Sequence, residues 1–433
     1  MSRAMRQRVL ASMGAHSMGM AITIGIQLAS LPLFLAVWDT AAYGTWLLIS
    51  ALPAYLAMAD VGMVTAAGNR MTMAMGAGET ALANRVFQSA QAFMLMICLP
   101  LAALALPAIW WSPWPAEATP DQRVALMALT LAVLLSFAGG LSEQVFKATH
   151  RYALGTTLSN LTRLAEWAGW MVGLLAVGSF SAVAIGGLAF RMLGTLLSMA
   201  VARVGDKGLA WGIRNATLES IRLMIRPAVA FMAFPVANAM SFQGVTLLVG
   251  ALLGPVAVAV FSTYRTLART AVQITAMFSH SLWPEFARLF GQRSMTKLRQ
   301  LVLHSAWVNA AQVLLMCALL YFFAPWLLQA WTHGKIPFDP SAFGVLMAYA
   351  AIGGLWHVPR VLLMSTNQHG ALALWTVLAA ALCVALTAWV APLMGLAGVS
   401  GAMLLSELLI AVVCIALALR AIAQPVRTRT VMP

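Results

Sequence analysis

Charged residues are scarce in this sequence. Only 9% of its 433 residues are Asp, Glu, Lys or Arg, whereas 62% are hydrophobic, and the mean hydropathy is +0.87. The surface of a soluble protein needs many more charged residues than this composition supplies. The composition therefore excludes a soluble multidomain protein and indicates an integral membrane protein.

Cysteine pairs and catalytic motifs are also missing. The four cysteines, Cys98, Cys317, Cys383 and Cys414, lie in apolar stretches without paired spacing, which argues against a disulfide framework and a structural zinc site. The sequence contains no phosphate-binding G-x-x-x-x-G-K-[ST] loop, no H-E-x-x-H and no G-x-S-x-G motif. We therefore expect no catalytic residues, no metal and no cofactor, in a protein that is not an enzyme.

Long apolar runs, in contrast, occur throughout the chain. A run of about 20 apolar residues is long enough to cross the hydrocarbon layer of a bilayer as a helix. The expected fold is therefore an all-α integral membrane protein with about twelve transmembrane helices. The predicted spans are 13–37, 44–68, 86–111, 124–147, 152–178, 182–203, 227–253, 256–283, 302–327, 342–364, 370–391 and 396–420.

The twelve spans divide into six and six at the longest and most basic connection. This division predicts an N-terminal six-helix lobe over 1–205, a cytoplasmic linker over 206–226, a C-terminal six-helix lobe over 227–421 and a cytoplasmic tail over 422–433. Because each half has an even number of spans, both halves enter the membrane from the same side, and a parallel repeat follows. Such a repeat is expected to form a V-shaped pair of bundles around a central cavity, which is typical of transporters.

The basic residues indicate the orientation of the chain. The sequence has 26 Lys and Arg against 12 Asp and Glu, a formal net charge of +14. Between the predicted spans, only Arg123 and Lys335 lie on one side, and all other basic residues lie on the side that holds the N-terminus. Basic residues collect on the cytoplasmic side of membrane proteins. Both termini are therefore expected in the cytoplasm, and no nucleic acid partner is needed to explain the charge.

Reporter fusions test this orientation. Alkaline phosphatase fused after Gln122 or Gly334 is expected to be active, because these positions lie in outer loops. Green fluorescent protein fused after Gly76, Gly208 or Arg293 is expected to fluoresce, because these positions lie inside. A reversed result at any outer and inner pair of positions contradicts the twelve-span topology.

Six charged side chains are predicted near the middle of spans, where an ionisable group costs about 2.5–3.5 kcal/mol on insertion scales and marks a functional site by default. Four arginines against two acids leave a positive cavity, which favours an anionic substrate. Arginine suits phosphate because its planar guanidinium donates two hydrogen bonds at once. The predicted substrate-binding residues are Arg265, Arg269, Arg191 and Arg163, and the candidate ion-coupling or counter-ion residues are Glu407 and Glu166.

Helical spacing suggests partners for these groups. Arg163 and Glu166 are three residues apart and are expected to form an internal ion pair. Arg265 and Arg269 share one helical face, so they repel each other unless an anion or a carboxylate lies between them. Glu407 is expected either to neutralise one of these two arginines or to couple transport to an ion gradient.

Three places in the sequence carry a family resemblance. Residues 43–62 begin with an aromatic-Gly pair and end with Asp-x-Gly, and residues 261–288 contain Arg265 and end in a segment with a Trp-Pro pair. Small residues, Gly178 and Gly395, stand at the outer turns before the last span of each half. Together with the six-plus-six layout, these features resemble the polysaccharide and O-antigen flippases of the multidrug/oligosaccharidyl-lipid/polysaccharide (MOP) exporter superfamily.

The resemblance implies a flippase that moves a polyprenyl-diphosphate-linked oligosaccharide across the bacterial inner membrane for assembly of a surface polysaccharide, such as O-antigen or exopolysaccharide. It also implies as partners the anionic lipid-linked glycan, membrane lipid, and polysaccharide polymerase and chain-length proteins. Two alternatives remain. A MATE-type cation or drug antiporter would need an acid-dominated cavity, and a membrane polysaccharide polymerase or ligase would need larger outer loops.

Overall fold

The structure is a computed structural model, and it describes residues 3–60, 62–111, 118–204, 209–366 and 368–423. Within these ranges nearly every residue is helical and no strand occurs, which confirms the expected all-α fold. Parts of three predicted segments lie outside the described residues: the first large outer loop at 112–117, the start of the linker at 206–208 and the tail from 424 onward.

The chain divides into two compact units, Met1–Pro235 and Val236–Pro433. The first unit contains α1 (Arg3–Val37), α2 (Thr40–Leu56), a 3₁₀ turn (Ala57–Asp60), α3 (Met63–Gly76), α4 (Thr80–Trp111), α5 (Pro120–Ala148), α6 (Tyr152–Ala176), α7 (Phe180–Val204) and α8 (Leu218–Phe231). A short helix, α9 (Ala233–Ala239), crosses the boundary between the two units.

The second unit continues with a π-helix (Met240–Gly244), α10 (Val245–Ser281), α11 (Trp283–Gly291), α12 (Met295–Thr332), α13 (Pro340–Leu355), α14 (His357–Ser365) and α15 (Gly370–Ala423). A π-helix has i→i+5 hydrogen bonds in place of the i→i+4 bonds of an α-helix, and it is frequent at functional sites. This one lies within the seventh predicted span.

Nine helical stretches in the described part of the chain are long and apolar enough to cross a membrane. Two of them contain a glycine with non-helical backbone, Gly254 at φ 84° and Gly395 at φ 57°, where the sequence predicts turns between spans. Helix α6 is not one of these nine stretches and corresponds to the fifth predicted span. When two of the stretches are divided at Gly254 and Gly395 and α6 is added, every predicted span coincides with helical structure. The expected multi-pass membrane protein is confirmed.

Glycines bring α6 and α7 into backbone contact. A Cβ atom on Gly169 would lie 2.3 Å from the carbonyl oxygen of Gly186, and one on Gly173 would lie 2.2 Å from that of Ala182. Only residues without a side chain permit so close an approach between membrane helices. The contact fixes α7 against α6, the two helices that carry Arg163, Glu166 and Arg191.

The connection that follows α7 is held on α4. Backbone N–H groups of residues 210, 212, 215 and 217 donate hydrogen bonds of 2.5–3.0 Å to polar side chains of α4, which are Asn84, Gln91, Gln88 and Ser89. Gln88 and Ser89 are buried, so their polar atoms need such partners. Residues 209–217 of the predicted linker therefore pack on the first unit, while the predicted lobe boundaries themselves remain a prediction.

Candidate functional site

The π-helix of the second unit holds one of the predicted arginines. The carbonyl oxygen of Phe242 accepts hydrogen bonds from the Thr246 hydroxyl at 2.7 Å and from Nη1 of Arg265 at 2.9 Å. Nη2 of Arg265 donates to the Thr246 hydroxyl at 2.8 Å. Arg265 is only 5% exposed. The guanidinium group of Arg265 is therefore held in place by the backbone and by a buried hydroxyl.

The second predicted arginine of α10 shares the same aromatic ring. The guanidinium carbon of Arg265 lies 3.8 Å from the ring centroid of Phe242, and that of Arg269 lies 4.3 Å from it. Within the described part of the chain, Arg269 makes no hydrogen bond, and no carboxylate pairs with either arginine. Stacking on an aromatic face stabilises a cation but leaves its N–H groups available. Arg269 thus presents free donors beside a second, fixed positive charge.

Glu407 does not pair with these two arginines, so that expected pairing is wrong. Its Oε1 atom accepts a hydrogen bond of 2.8 Å from the indole N–H of Trp356, the residue between α13 and α14. The guanidinium carbon of Arg360 lies 5.5 Å from the ring centroid of Trp356, and Arg360 interacts electrostatically with Glu407. Depth along a helix placed the acid and the arginines at one level, but it does not determine the direction in which each side chain points.

In the first unit, the expected pair of Arg163 with Glu166 is also wrong. Glu166, which is buried, forms an ion pair with Arg191 of α7. Nη2 of Arg163 instead donates to the carbonyl oxygen of Gly19 at 2.8 Å and to the Thr23 hydroxyl at 2.6 Å, both in α1. The i,i+3 spacing allowed the predicted pair, but the contact between α6 and α7 brings a competing guanidinium to the acid.

The four predicted substrate-binding arginines therefore fall into two groups. Arg163 and Arg191, together with Glu166, line a cavity of about 320 Å³ in the first unit. Arg265 and Arg269 lie around Phe242 in the second unit. Their assignment to substrate remains a prediction, but only the second group has no acidic partner among the described residues.

Sequence reasoning missed three side chains that organise the site of the second unit. Phe242 and Thr246 lie in or beside the π-helix, and nothing in the residue pattern indicates a π-helix there. Trp356 had a usable signal, because it lies well inside the predicted span 342–364, whereas most tryptophans of this chain lie near span ends.

No protein-family model matches the chain, and no curated protein matches its sequence. Among solved structures, it is similar to an inward-facing multidrug resistance MATE family transporter of the MOP superfamily, with a TM-score of 0.76 and 12% identity over 95% of this chain and 98% of that one. An outward-facing MATE family transporter aligns with a TM-score of 0.67 and 14% identity, over 97% of this chain and 96% of that one.

A third similar structure is a MOP superfamily transporter from Pyrococcus furiosus whose binding pocket has reversed polarity, which suggests a different function for that protein. It aligns with a TM-score of 0.66 and 14% identity, over 96% of this chain and 95% of that one. These alignments cover nearly the whole chain at low identity. The chain therefore has the fold of the MATE transporters of the MOP superfamily.

Proposed function

We propose that the protein is a membrane transporter, and more narrowly a flippase for a polyprenyl-diphosphate-linked oligosaccharide in the bacterial inner membrane. The product would be a surface polysaccharide such as O-antigen or exopolysaccharide. The observation that carries this proposal is the pair Arg265 and Arg269 around Phe242, which has no carboxylate partner in the described part of the chain.

Two uncompensated guanidinium groups one helical turn apart repel each other, and each is costly in the interior of a membrane protein. A bound dianion relieves both costs at once. Arginine binds phosphate through charge-assisted, bidentate hydrogen bonds, and a diphosphate offers two such groups in sequence. The chemistry of the pair thus fits the diphosphate that links a polyprenyl chain to its glycan.

The two arginines have different roles in this proposal. Arg265 uses two of its nitrogen atoms on Phe242 and Thr246, so it supplies a fixed positive charge. Arg269 is only partly buried and its N–H groups are unused within the described part of the chain. Arg269 is therefore the residue that contacts the phosphate oxygens. Arg265 holds the Phe242 ring in place and adds a fixed positive charge beside it.

The acidic residues of the second unit argue against a cationic cargo. The sequence from 236 to 433 contains only three: Glu285, which pairs with Arg288 on an exposed surface, Asp339, which caps α13, and Glu407. Only Glu407 is then available, whereas Arg265, Arg269 and Arg360 all lie within predicted spans of this unit. A MATE-type antiporter for organic cations would need the opposite balance. Transporters of this fold include one with reversed pocket polarity, which fits a difference in cargo without a difference in fold.

Ligand-induced stabilisation tests the proposed cargo. Purified protein is heated with farnesyl diphosphate, with farnesol or with tetraphenylphosphonium, and the unfolding temperature is measured. A ligand that binds only the folded state stabilises that state, and the stabilisation grows with the logarithm of the ratio of ligand concentration to Kd. We expect stabilisation by the diphosphate alone, and loss of this effect in Arg269→Ala. Stabilisation by the cation, without any by the diphosphate, would favour the antiporter.

Glu407 is the proposed site of ion coupling. The sequence has no phosphate-binding loop for nucleotide hydrolysis, so the expected energy source is an ion gradient, the membrane potential or the downhill flow of the substrate itself. A carboxylate that is supported by a donor in one state and left without it in another changes its proton affinity between the states. In the described structure the supporting groups are Trp356 and Arg360.

Glu407→Gln separates coupling from a structural role. Glutamine keeps an oxygen that accepts the Trp356 hydrogen bond but carries no charge. We expect the variant to fold and to bind farnesyl diphosphate, yet to transport at a rate that no longer depends on an imposed pH gradient. Glu285→Gln is the control and should keep the pH dependence. If Glu407→Gln fails to accumulate and Arg360→Gln restores it, Glu407 is a structural counter-ion.

A further inference from the structure

The cavity of the first unit is not needed to bind the diphosphate. It lies among α5, α6 and α7 and has a volume of about 320 Å³. This is close to the lower end of the range for small-molecule sites, about 300–1,000 Å³. The cavity has room for a sugar-sized molecule but not for a long glycan.

The charges that line this cavity balance. Two arginines, Arg163 and Arg191, and two glutamates, Glu143 and Glu166, line it. The Arg191–Glu166 ion pair neutralises one charge of each sign directly. An anion would therefore gain little here compared with the pair Arg265 and Arg269, whose charges are uncompensated. The cavity favours a ligand that is polar but has no net charge.

The cavity also offers donors and acceptors in similar number. The hydroxyls of Ser159, Thr195 and Ser198 make no hydrogen bond with any described residue, and Nε of Arg191 is buried without a partner. Glu143 likewise has no partner in the part of the chain that the structure describes. A carboxylate only accepts and a guanidinium only donates, whereas each sugar hydroxyl both donates and accepts. A ring with several adjacent hydroxyls can use all of these groups together.

We propose that this cavity, which lies wholly within the first unit, binds a neutral sugar ring of the lipid-linked glycan. The inference rests on the proposed function for the identity of its natural ligand. Its physical basis is independent, because the balanced charge and the free hydroxyls belong to the first unit alone.

Cysteine protection tests sugar binding without transport. Ser159 lines the cavity and is exposed, so Ser159→Cys in a Cys98→Ser background gives a reactive thiol at the site. Methyl N-acetyl-α-glucosaminide is the probe, and the rate of alkylation by a small maleimide is measured. A bound probe slows the reaction by the factor 1 + [L]/Kd, about tenfold at ten times Kd. Gln292→Cys, exposed on another unit, is the control and should react at an unchanged rate.

Equal rates with and without the probe at Ser159→Cys overturn the proposal, as does equal slowing at both cysteines. Protection by sodium chloride, but not by the glycoside, also overturns it and makes the cavity an ion site. Protection by farnesyl diphosphate alone returns the cavity to the anion-binding role that the sequence predicted.

A cavity-filling variant tests the same site during transport. A Cβ atom on Gly139 would make ordinary contact with Thr195, at 3.6 Å, so a larger side chain at this position enters the cavity. Gly401, with open space around its Cβ position, is the matched control. Two fluorescent polyprenyl diphosphates, one bare and one carrying a single N-acetylglucosamine, are compared in proteoliposomes.

We expect Gly139→Leu to slow flipping of the sugar-bearing lipid by about tenfold or more, because the added side chain overpacks an occupied site. The bare lipid should flip at the rate seen with Gly401→Leu. If Gly139→Leu slows both lipids equally, or neither, the sugar site is refuted while the flippase function stands. If the wild-type protein flips neither lipid, the proposed function fails. Cysteine protection then tests by itself whether the cavity binds a sugar.

Discussion

Arg269→Ala is expected to lower transport of the lipid-linked glycan by roughly two orders of magnitude, because truncating one partner of a buried, hydrogen-bonded charge pair costs about 2–5 kcal/mol. The residue stacks on Phe242 and leaves its N–H groups free for phosphate oxygens. Arg269→Lys should restore transport only in part, because an ammonium group keeps the charge but lacks the planar pair of donors. Transport is measured as surface glycan at matched protein level in the membrane.

Arg265→Ala should also lower transport, but by a different route. It removes the fixed charge and the hydrogen bonds to Phe242 and Thr246, so the protein level should fall as well. Arg288→Ala, on an exposed surface, is the control and should change neither quantity. Normal export by Arg265→Ala and Arg269→Ala, at equal protein level, would contradict the diphosphate-binding role.

The second large effect concerns the ion pair of the first unit. Arg191→Ala leaves the buried carboxylate of Glu166 without its partner, and breaking a buried pair in this way costs about 3–5 kcal/mol. Because Arg191 is partly exposed, with 25% of its side chain accessible, the lower end of that range is expected. Accumulation in the membrane and the midpoint of unfolding in detergent should both fall.

The double variant Arg191→Gln, Glu166→Gln should recover most of this loss, because it leaves no unpaired charge. Arg163→Ala provides the comparison within α6. Arg163 is exposed, and its hydrogen bonds to described residues go only to a carbonyl and a hydroxyl of α1, so its removal should destabilise much less. If Arg163→Ala destabilises as strongly as Arg191→Ala, and the double variant does not recover, the observed ion pair does not stabilise the fold.

Much of the fold could be predicted from the sequence, because long apolar runs have few alternatives in a membrane. The turns at Gly254 and Gly395 fall where spans were expected to end, and the non-helical backbone of each glycine divides two helices there. The Asp-x-Gly motif has a local physical basis that spacing alone did not indicate. The side chain of Asp60 accepts a hydrogen bond of 2.8 Å from the N–H of Gly62, the residue that precedes α3, and so stabilises the turn between α2 and α3.

The partners of the charged residues could not be predicted in the same way. Spacing along one helix indicates which residues share a face, and Arg265 with Arg269 indeed share the ring of Phe242. It does not indicate which neighbouring helix meets that face. The observed partners of Glu166 and Glu407 lie 25 and 51 residues away, on α7 and at the junction of α13 and α14. Only the packing of α6 on α7 and the break at Trp356 determine them.

The measurement that tests the central claim most directly is a flipping assay in proteoliposomes. A fluorescent lipid-linked sugar with a diphosphate linker is placed in both leaflets, and the fraction accessible to an external quencher is followed over time. An organic cation efflux assay is run on the same vesicles. We expect flipping of the lipid-linked sugar by the wild-type protein, loss of flipping in Arg269→Ala, and no cation efflux. Cation efflux that is unaffected by Arg269→Ala, without flipping of the lipid, would contradict the proposed function.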